Sequence, residues 1–234
     1  MSDKRVEKLL ERMKAGDDHY RAYVGPPARY GFLTLSQMSL LSALGLRETD
    51  KVLDFGCGSL RLGRCLIPFL HSGNYYGIEP NDWLVNAGFE HEVGNEIRGI
   101  KKPNFSSDPN FDCSVFEEKF DFIVAQSIIT HSGKLNTQNL FKSAEKSLKD
   151  DGVMLLSYCK ADDEESIPLD PWTYPTNVKY SESWLRAECE SLGLYWSELA
   201  WEHPGATWAI IVRNVDRLPP VGCGIGNNGI FLQR

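Results

Sequence analysis

No apolar run in this chain approaches the roughly 20 residues needed to cross a bilayer. The longest, such as FIVAQSII at 122–129, fall far short, and the N-terminus MSDKRVEKLLERMK is charged throughout. Neither a membrane span nor an export signal is expected. Cysteine is sparse: the six residues at 57, 65, 113, 159, 189 and 223 form no CxxC pair and no dense framework. Several sit in apolar stretches, as small buried thiols do, which predicts reduced cysteines and a cytoplasmic protein. Positive charge is also short, with 25 Lys and Arg against 32 Asp and Glu and a net charge of −7. A phosphate backbone would be repelled overall, so nucleic acid is excluded as a first partner. There is no internal repeat and no His/Cys cluster of zinc type, and the acidic run DDEE at 162–165 lacks EF-hand spacing, so no metal is expected.

What is present fits one well-filled core in 234 residues. Val6, Leu9, Leu10 and Met13 recur at helical spacing over 4–15. A tyrosine-rich segment, HYRAYVGPPARYGF at 19–32, is broken by Gly25-Pro26-Pro27 and reads as loop or turn. A helix fits TLSQMSLLSALGL at 34–46. From Lys51 onward short apolar runs, KVLDF, NYYGIE, FDFIVAQS and GVMLLSY, alternate with helix candidates over 59–70, 81–93 and 137–149. That alternation predicts an α/β fold with a doubly wound, mostly parallel, Rossmann-like sheet that binds its ligand at the carboxyl edge. A helix over SESWLRAECESLG and two strand-like runs at 194–201 and 207–214 follow, the latter read as an antiparallel pair closing the sheet. The expected division is N-terminal helices with the tyrosine segment (1–45), the main domain (46–216) and a Gly/Pro-rich tail (217–234) with no assigned structure.

Residues 51–64, KVLDFGCGSLRLGR, place Asp54 at a strand end, then Gly56 and Gly58, then a helix. Such a turn lets backbone approach a nucleotide-like ligand closely. A dinucleotide GxGxxG would need a third glycine at 61, where Arg61 stands, and a P-loop would need a lysine where Arg64 stands. Glu79 ends the next run, YYGIE, 21 residues after Gly58, the distance at which an acid accepts hydrogen bonds from ribose hydroxyls. A ribose of NAD would suit it as well, which keeps an oxidoreductase as the alternative.

VLDFGCGSLRLG together with YYGIEP resembles the first two motifs of class I S-adenosylmethionine (SAM)-dependent methyltransferases, and FDFIVAQSIITHSG and LKDDGVMLLS resemble their fourth-strand and fifth-strand segments. The likeness covers about 40–215 and is similar to a bacterial subgroup acting on small molecules or glycans. It implies SAM as cofactor and S-adenosylhomocysteine (SAH) as product. Asp54, Gly56 and Gly58 would line the methionine part, Glu79 would hold the ribose, and Pro80 and Asn81 would lie beside the adenosine. The loop SSDPNFDCSVF offers Asp108 or Asp112 to the adenine, with Asp112, nearer the fourth strand, preferred. Gln126 and Ser127 would face cofactor or acceptor. In such enzymes the segments outside the sheet form a lid over the acceptor, which makes Tyr20, Tyr23, Tyr30, Trp172 and Tyr174 the substrate candidates. A proton-bearing acceptor benefits from a general base. His131, after the fourth strand, and His203, in the turn WEHPGATW, are the candidates, against a helix-start hydrogen bond and a plain turn residue respectively. The expected reaction is methyl transfer to a small molecule or saccharide, at oxygen; a SAM-binding protein without turnover is the other alternative.

Overall fold

The computed structural model describes Leu10, residues 12–161, Pro168 and residues 172–219. The expected helix over 4–15 lies largely outside these residues, as do the DDEE run, Cys223 and most of the tail.

Strand β1 (Val52–Phe55) is buried along its whole length, as an interior strand of a sheet covered on both faces must be. It pairs in parallel with β2 (Tyr75–Ile78) on one side and β4 (Phe120–Ala125) on the other. β3 (Asn104–Ser106) extends the sheet beyond β2, and β5 (Leu148–Lys160) beyond β4, both in parallel. β7 (Tyr195–Leu199) and β8 (Thr207–Val212) form the expected antiparallel pair, giving the order β3-β2-β1-β4-β5-β8-β7. A short β6 (Lys179–Tyr180) pairs the outer end of β5. The three-residue β3 and two-residue β6 carry too little periodicity to be read from sequence.

Alternation along the strands divides the core into two faces. Leu53, Ile123, Met154 and Ile211 pack with Leu140, Phe141 and Ala144 of α5 (Lys134–Ser147) and with Leu185 and Cys189 of α6 (Glu182–Ser191). Val52, Val124, Leu155 and Ile210 face Leu40 and Leu41 of α1 (Tyr30–Ala43), Leu66 and Ile67 of α2 (Gly63–Phe69), and Val85 of α3 (Asp82–Gly88). Helix α1 starts four residues earlier than the sequence reading has it, directly after a 3₁₀ turn at Pro27–Arg29, so Tyr30 is helical and buried rather than part of a loop. A π turn (Phe89–Val93) follows α3, and α4 (Asn95–Lys101), absent from the sequence reading, buries no residue, which is why no apolar stripe announces it.

Gly88 positions the site by steric means. A Cβ there would lie 2.5 Å from the Ser59 carbonyl oxygen and 2.8 Å from Leu60 Cγ, so only glycine lets α3 rest on the turn after β1. Alanine would gain up to about 1 kcal/mol in helix propensity. The backbone contact cannot relax without moving the turn, and overpacking outweighs that gain. Gly88→Ala is expected to destabilise the protein by about 1–3 kcal/mol, read from denaturant unfolding.

Candidate active site

The carboxyl edge of the sheet opens into a cavity of about 710 Å³, within the range of small-molecule sites. One wall is the turn after β1. Gly56 and Gly58 take φ of +73° and +53°, the left-handed region that favours glycine. The Gly56 and Cys57 N–H groups both donate to the Ile78 carbonyl, at 2.8 and 3.0 Å, which ties the turn to the end of β2. A Cβ on Gly56 would meet Ile128 Cδ1 at 2.1 Å, and one on Gly58 would meet Val24 Cγ1 at 2.6 Å.

Glu79, 8% exposed, stands on the wall beside this turn. Its Oε2 accepts from Gly58 N–H at 3.1 Å, and its Oε1 accepts from the backbone and side-chain amides of Asn81, each at 2.9 Å. Burial raises its pKa above the ordinary value against the pull of these donors. Pro80 and Asn81 also line the cavity.

Asp54 is brought to the end of β1 but does not reach the cavity. It is buried beneath the turn and accepts the Tyr75 hydroxyl at 2.8 Å. Burial pushes its pKa up to about 6. The native carboxyl thus holds its proton more tightly than the unfolded one. Its contribution to stability is complete below about pH 4 and is lost as pH rises through about 6. Asp54→Asn keeps an oxygen for Tyr75 and removes the charge. The expected result is a gain on the order of 1–2 kcal/mol at pH 7.5 and a flatter stability profile between pH 4 and 6, measured by unfolding across that range.

Asp112, the preferred adenine residue, is the N-cap of a 3₁₀ turn, accepting from Ser114 N–H at 2.8 Å and Ser114 Oγ at 2.6 Å, and it is off the cavity wall. Asp108 is on the wall instead.

Gln126 and Ser127 end β4 on the opposite wall. Arg61 Nη2 donates to Gln126 Oε1 at 3.0 Å, which turns the Gln126 amide nitrogen toward His203 Nε2, 3.1 Å away. The accessible lone pair of His203 is therefore engaged, its Nδ1 is buried without a partner, and burial with the charges of Arg61 and Arg29 lowers its pKa to about 4. His131 is arranged differently. Its Nδ1 donates to the Thr176 carbonyl at 3.0 Å, fixing the tautomer that leaves the lone pair on Nε2. Its ring lies edge-on to Tyr174 and Trp172, with centroids at 4.8 and 5.7 Å, and burial lowers its pKa below the ordinary 6.5.

The five aromatic candidates separate. Tyr23, Trp172 and Tyr174 line the cavity, with the Tyr174 hydroxyl donating to the Tyr23 carbonyl. Tyr20 and Tyr30 do not line it. Tyr20 donates to Glu92 Oε1 at 3.0 Å within a brace in which Arg21 and Arg64 pair with the same carboxylate. Tyr30 is a buried support whose hydroxyl donates to the Ser59 carbonyl at 2.9 Å. Phe111, Thr130 and Arg61, which the sequence reading did not assign to the site, are on the wall. Only Arg61 carried a signal, standing where a third glycine is ordinarily sought.

The family model described as a methyltransferase domain matches residues 29–196. The chain belongs to this family. Among solved structures, the methyltransferase resembles magnesium protoporphyrin IX methyltransferase (ChlM) from Synechocystis PCC 6803 with bound SAM, at TM-score 0.64 and 14% identity, covering 92% of this chain and 98% of that one. It also resembles the DhpI-SAH complex, at TM-score 0.60 and 16% identity over 90% and 98% of the chains. A third likeness is the glycopeptide N-methyltransferase MtfA, at TM-score 0.57 and 13% identity over 77% and 90%. No curated protein matches the sequence. At these identities the neighbours speak for the fold: a class I methyltransferase sheet, the fold in which SAM is the methyl donor. Among the described residues no helix is long and apolar enough to cross a membrane.

Proposed function

We propose that this methyltransferase binds SAM along the β2–β1–β4 edge and methylates a small-molecule or saccharide acceptor at oxygen, in the cytoplasm. The single observation that carries the reading is the cavity wall made by Gly56, Gly58 and the buried Glu79, whose shape and donor set fit an adenosyl ligand. The glycines keep the turn thin enough for Ile128 and Val24 to pack on it, closing the wall beside Glu79. Glu79, with one carboxylate lone pair left on Oε2 after its three amide bonds, accepts from a ribose hydroxyl. Asp108 takes the role expected of Asp112, because it faces the cavity.

SAM supplies an electrophilic methyl on a sulfonium, and the protein has to align the acceptor in line with it and keep water away. His131 Nε2 takes the proton from the acceptor hydroxyl as its oxygen gains the methyl group. Its Nδ1 bond to Thr176 holds the ring in the required tautomer throughout. His203, with Nε2 occupied by Gln126, serves as a fixed wall residue. Tyr23, Tyr174 and the 48%-exposed Trp172 present ring faces at the mouth, suited to a sugar or flat organic body.

Calorimetric titration with SAM, SAH and NAD tests the reading. Micromolar binding of SAM and SAH without NAD is expected; binding of NAD alone would replace the donor, and no binding of any would remove the enzymatic reading.

A further inference from the structure

The mechanism gives no ligand contact to two charged wall residues, Arg61 and Arg29. Arg61 Nη1 donates to the Val24 carbonyl at 2.8 Å and Nη2 to Gln126 Oε1 at 3.0 Å, and both partners are neutral. Its Nε is buried without a partner, and the side chain forms no ion pair among the described residues. Asp54 acts on it only through space. Arg61 is half-buried on the cavity wall, and a guanidinium paired there only with neutral groups gains charge-assisted bonds when an anion joins it.

A second guanidinium stands nearby. Arg29, also on the wall, donates to the Pro204 carbonyl at 2.9 Å, and both arginines act electrostatically on His203. The acids of the cavity, Glu79 and Asp108, come from the ends of β2 and β3. The cavity is thus polarised, acidic toward β2 and β3 and basic toward the turn 203–205 between β7 and β8.

Position assigns the basic end. A ribose on Glu79 sits over β2, and at about 4.8 Å per strand the end of β4 is roughly 10 Å away across β1. The turn 203–205 belongs to β8, two strands farther on. A donor seated on Glu79 extends toward β4, and the arginines stand on its far side, Arg61 where Gln126 meets His203 and Arg29 on Pro204 of the turn.

We infer that the acceptor carries an oxyanion group, a carboxylate or phosphate, that pairs with the Arg61 guanidinium at the end of the cavity facing the β7–β8 turn. The word acceptor rests on the methyltransferase reading above; the charged subsite does not. The N–H groups that Val24 and Gln126 leave over on Nη1 and Nη2 suit capture of such a group, and the ring faces of Tyr23, Tyr174 and Trp172 would hold its organic body.

The probe is benzoate against its neutral isostere benzamide, titrated by NMR into SAH-saturated protein. Benzoate is expected to bind about tenfold or more tightly than benzamide, and Arg61→Met to erase the difference while Arg61→Lys retains part of it. SAH affinity should stay within a few-fold of wild type in both variants, and melting temperature reports the loss of the bonds to Val24 and Gln126. Equal binding of the two probes to the wild type, or a benzoate preference that survives Arg61→Met, overturns the inference. So does an Arg61→Met variant that loses SAH affinity while still binding 5′-methylthioadenosine, which lacks the amino-acid arm: Arg61 would then pair the donor's carboxylate. If Arg61→Met does not fold, Arg61→Gln removes the charge with hydrogen-bonding capacity kept, and the same outcomes apply. Failure of SAH to bind the wild type would sink the donor reading separately, and the benzoate comparison on the protein alone would still judge the subsite.

Discussion

Replacing His131 by alanine is expected to lower kcat by about 10²- to 10⁴-fold with the first acceptor that turns over, with SAM affinity held near wild type. The size follows from what is removed. Nε2 is the one histidine nitrogen on the cavity wall with both a fixed tautomer and an uncommitted lone pair, whereas His203 Nε2 is held by Gln126. The loss should fall on kcat and kcat/KM together, since the proton moves only as the new bond forms. The same geometry sets a pH profile. Burial lowers the His131 pKa below 6.5, so the base is neutral and competent at neutral pH, and the wild-type rate should fall only as pH drops through that lowered value. His131→Ala should lose this acid limb. A variant that keeps wild-type turnover with intact SAM binding would leave alignment alone to explain the rate. His203→Ala, by contrast, should weaken rather than abolish turnover, because it frees Gln126 without removing a proton acceptor.

Glu79→Ala is expected to weaken SAM and SAH by about ten- to a hundredfold, or 1–3 kcal/mol, through a lost charge-assisted hydrogen bond to the ribose. The same change leaves the Gly58 and Asn81 amides without their acceptor, so part of the effect arrives through a loosened turn. Glu79→Gln separates the two contributions. Its oxygen can replace Oε1 for Asn81, but its amide nitrogen then faces the Gly58 N–H, donor against donor. Glutamine is expected to lose nearly as much affinity as alanine, and melting temperatures of both variants report how far the turn is disturbed. Unchanged SAM affinity in Glu79→Ala would remove this residue from the binding site.

The alternation of strands and helices and the antiparallel closing pair were legible because they rest on periodicities within a few residues: buried runs at strand length, amphipathic helices between them, a turn signal at His203–Gly205. The turn after β1 was legible for a related reason, since glycine spacing reports backbone that must pass close to other atoms. Glu79 followed from its distance to that turn. Elements without such a signal were missed. α4 buries nothing, and β3 and β6 are too short to alternate. Asp112 was preferred to Asp108 on proximity to β4, yet both carboxylates accept from the backbone two residues on, and only the path of the loop sets Asp108 on the cavity wall and Asp112 off it.

By itself the sequence determined the sheet, the glycine turn and the acid beside it, because local sterics and hydrophobic alternation need no distant partner. Only the tertiary structure decided which way the chemistry-bearing side chains point. Tyr174 meets Tyr23 across 151 positions of chain, Gln126 meets His203 across 77, and Arg61 meets Gln126 across 65. Those contacts set which histidine keeps a free lone pair, which tyrosines face the cavity, and that the arginine standing in place of a glycine is a cation on its wall. Side-chain direction and burial are properties of segments brought together by packing, and no window of sequence contains them.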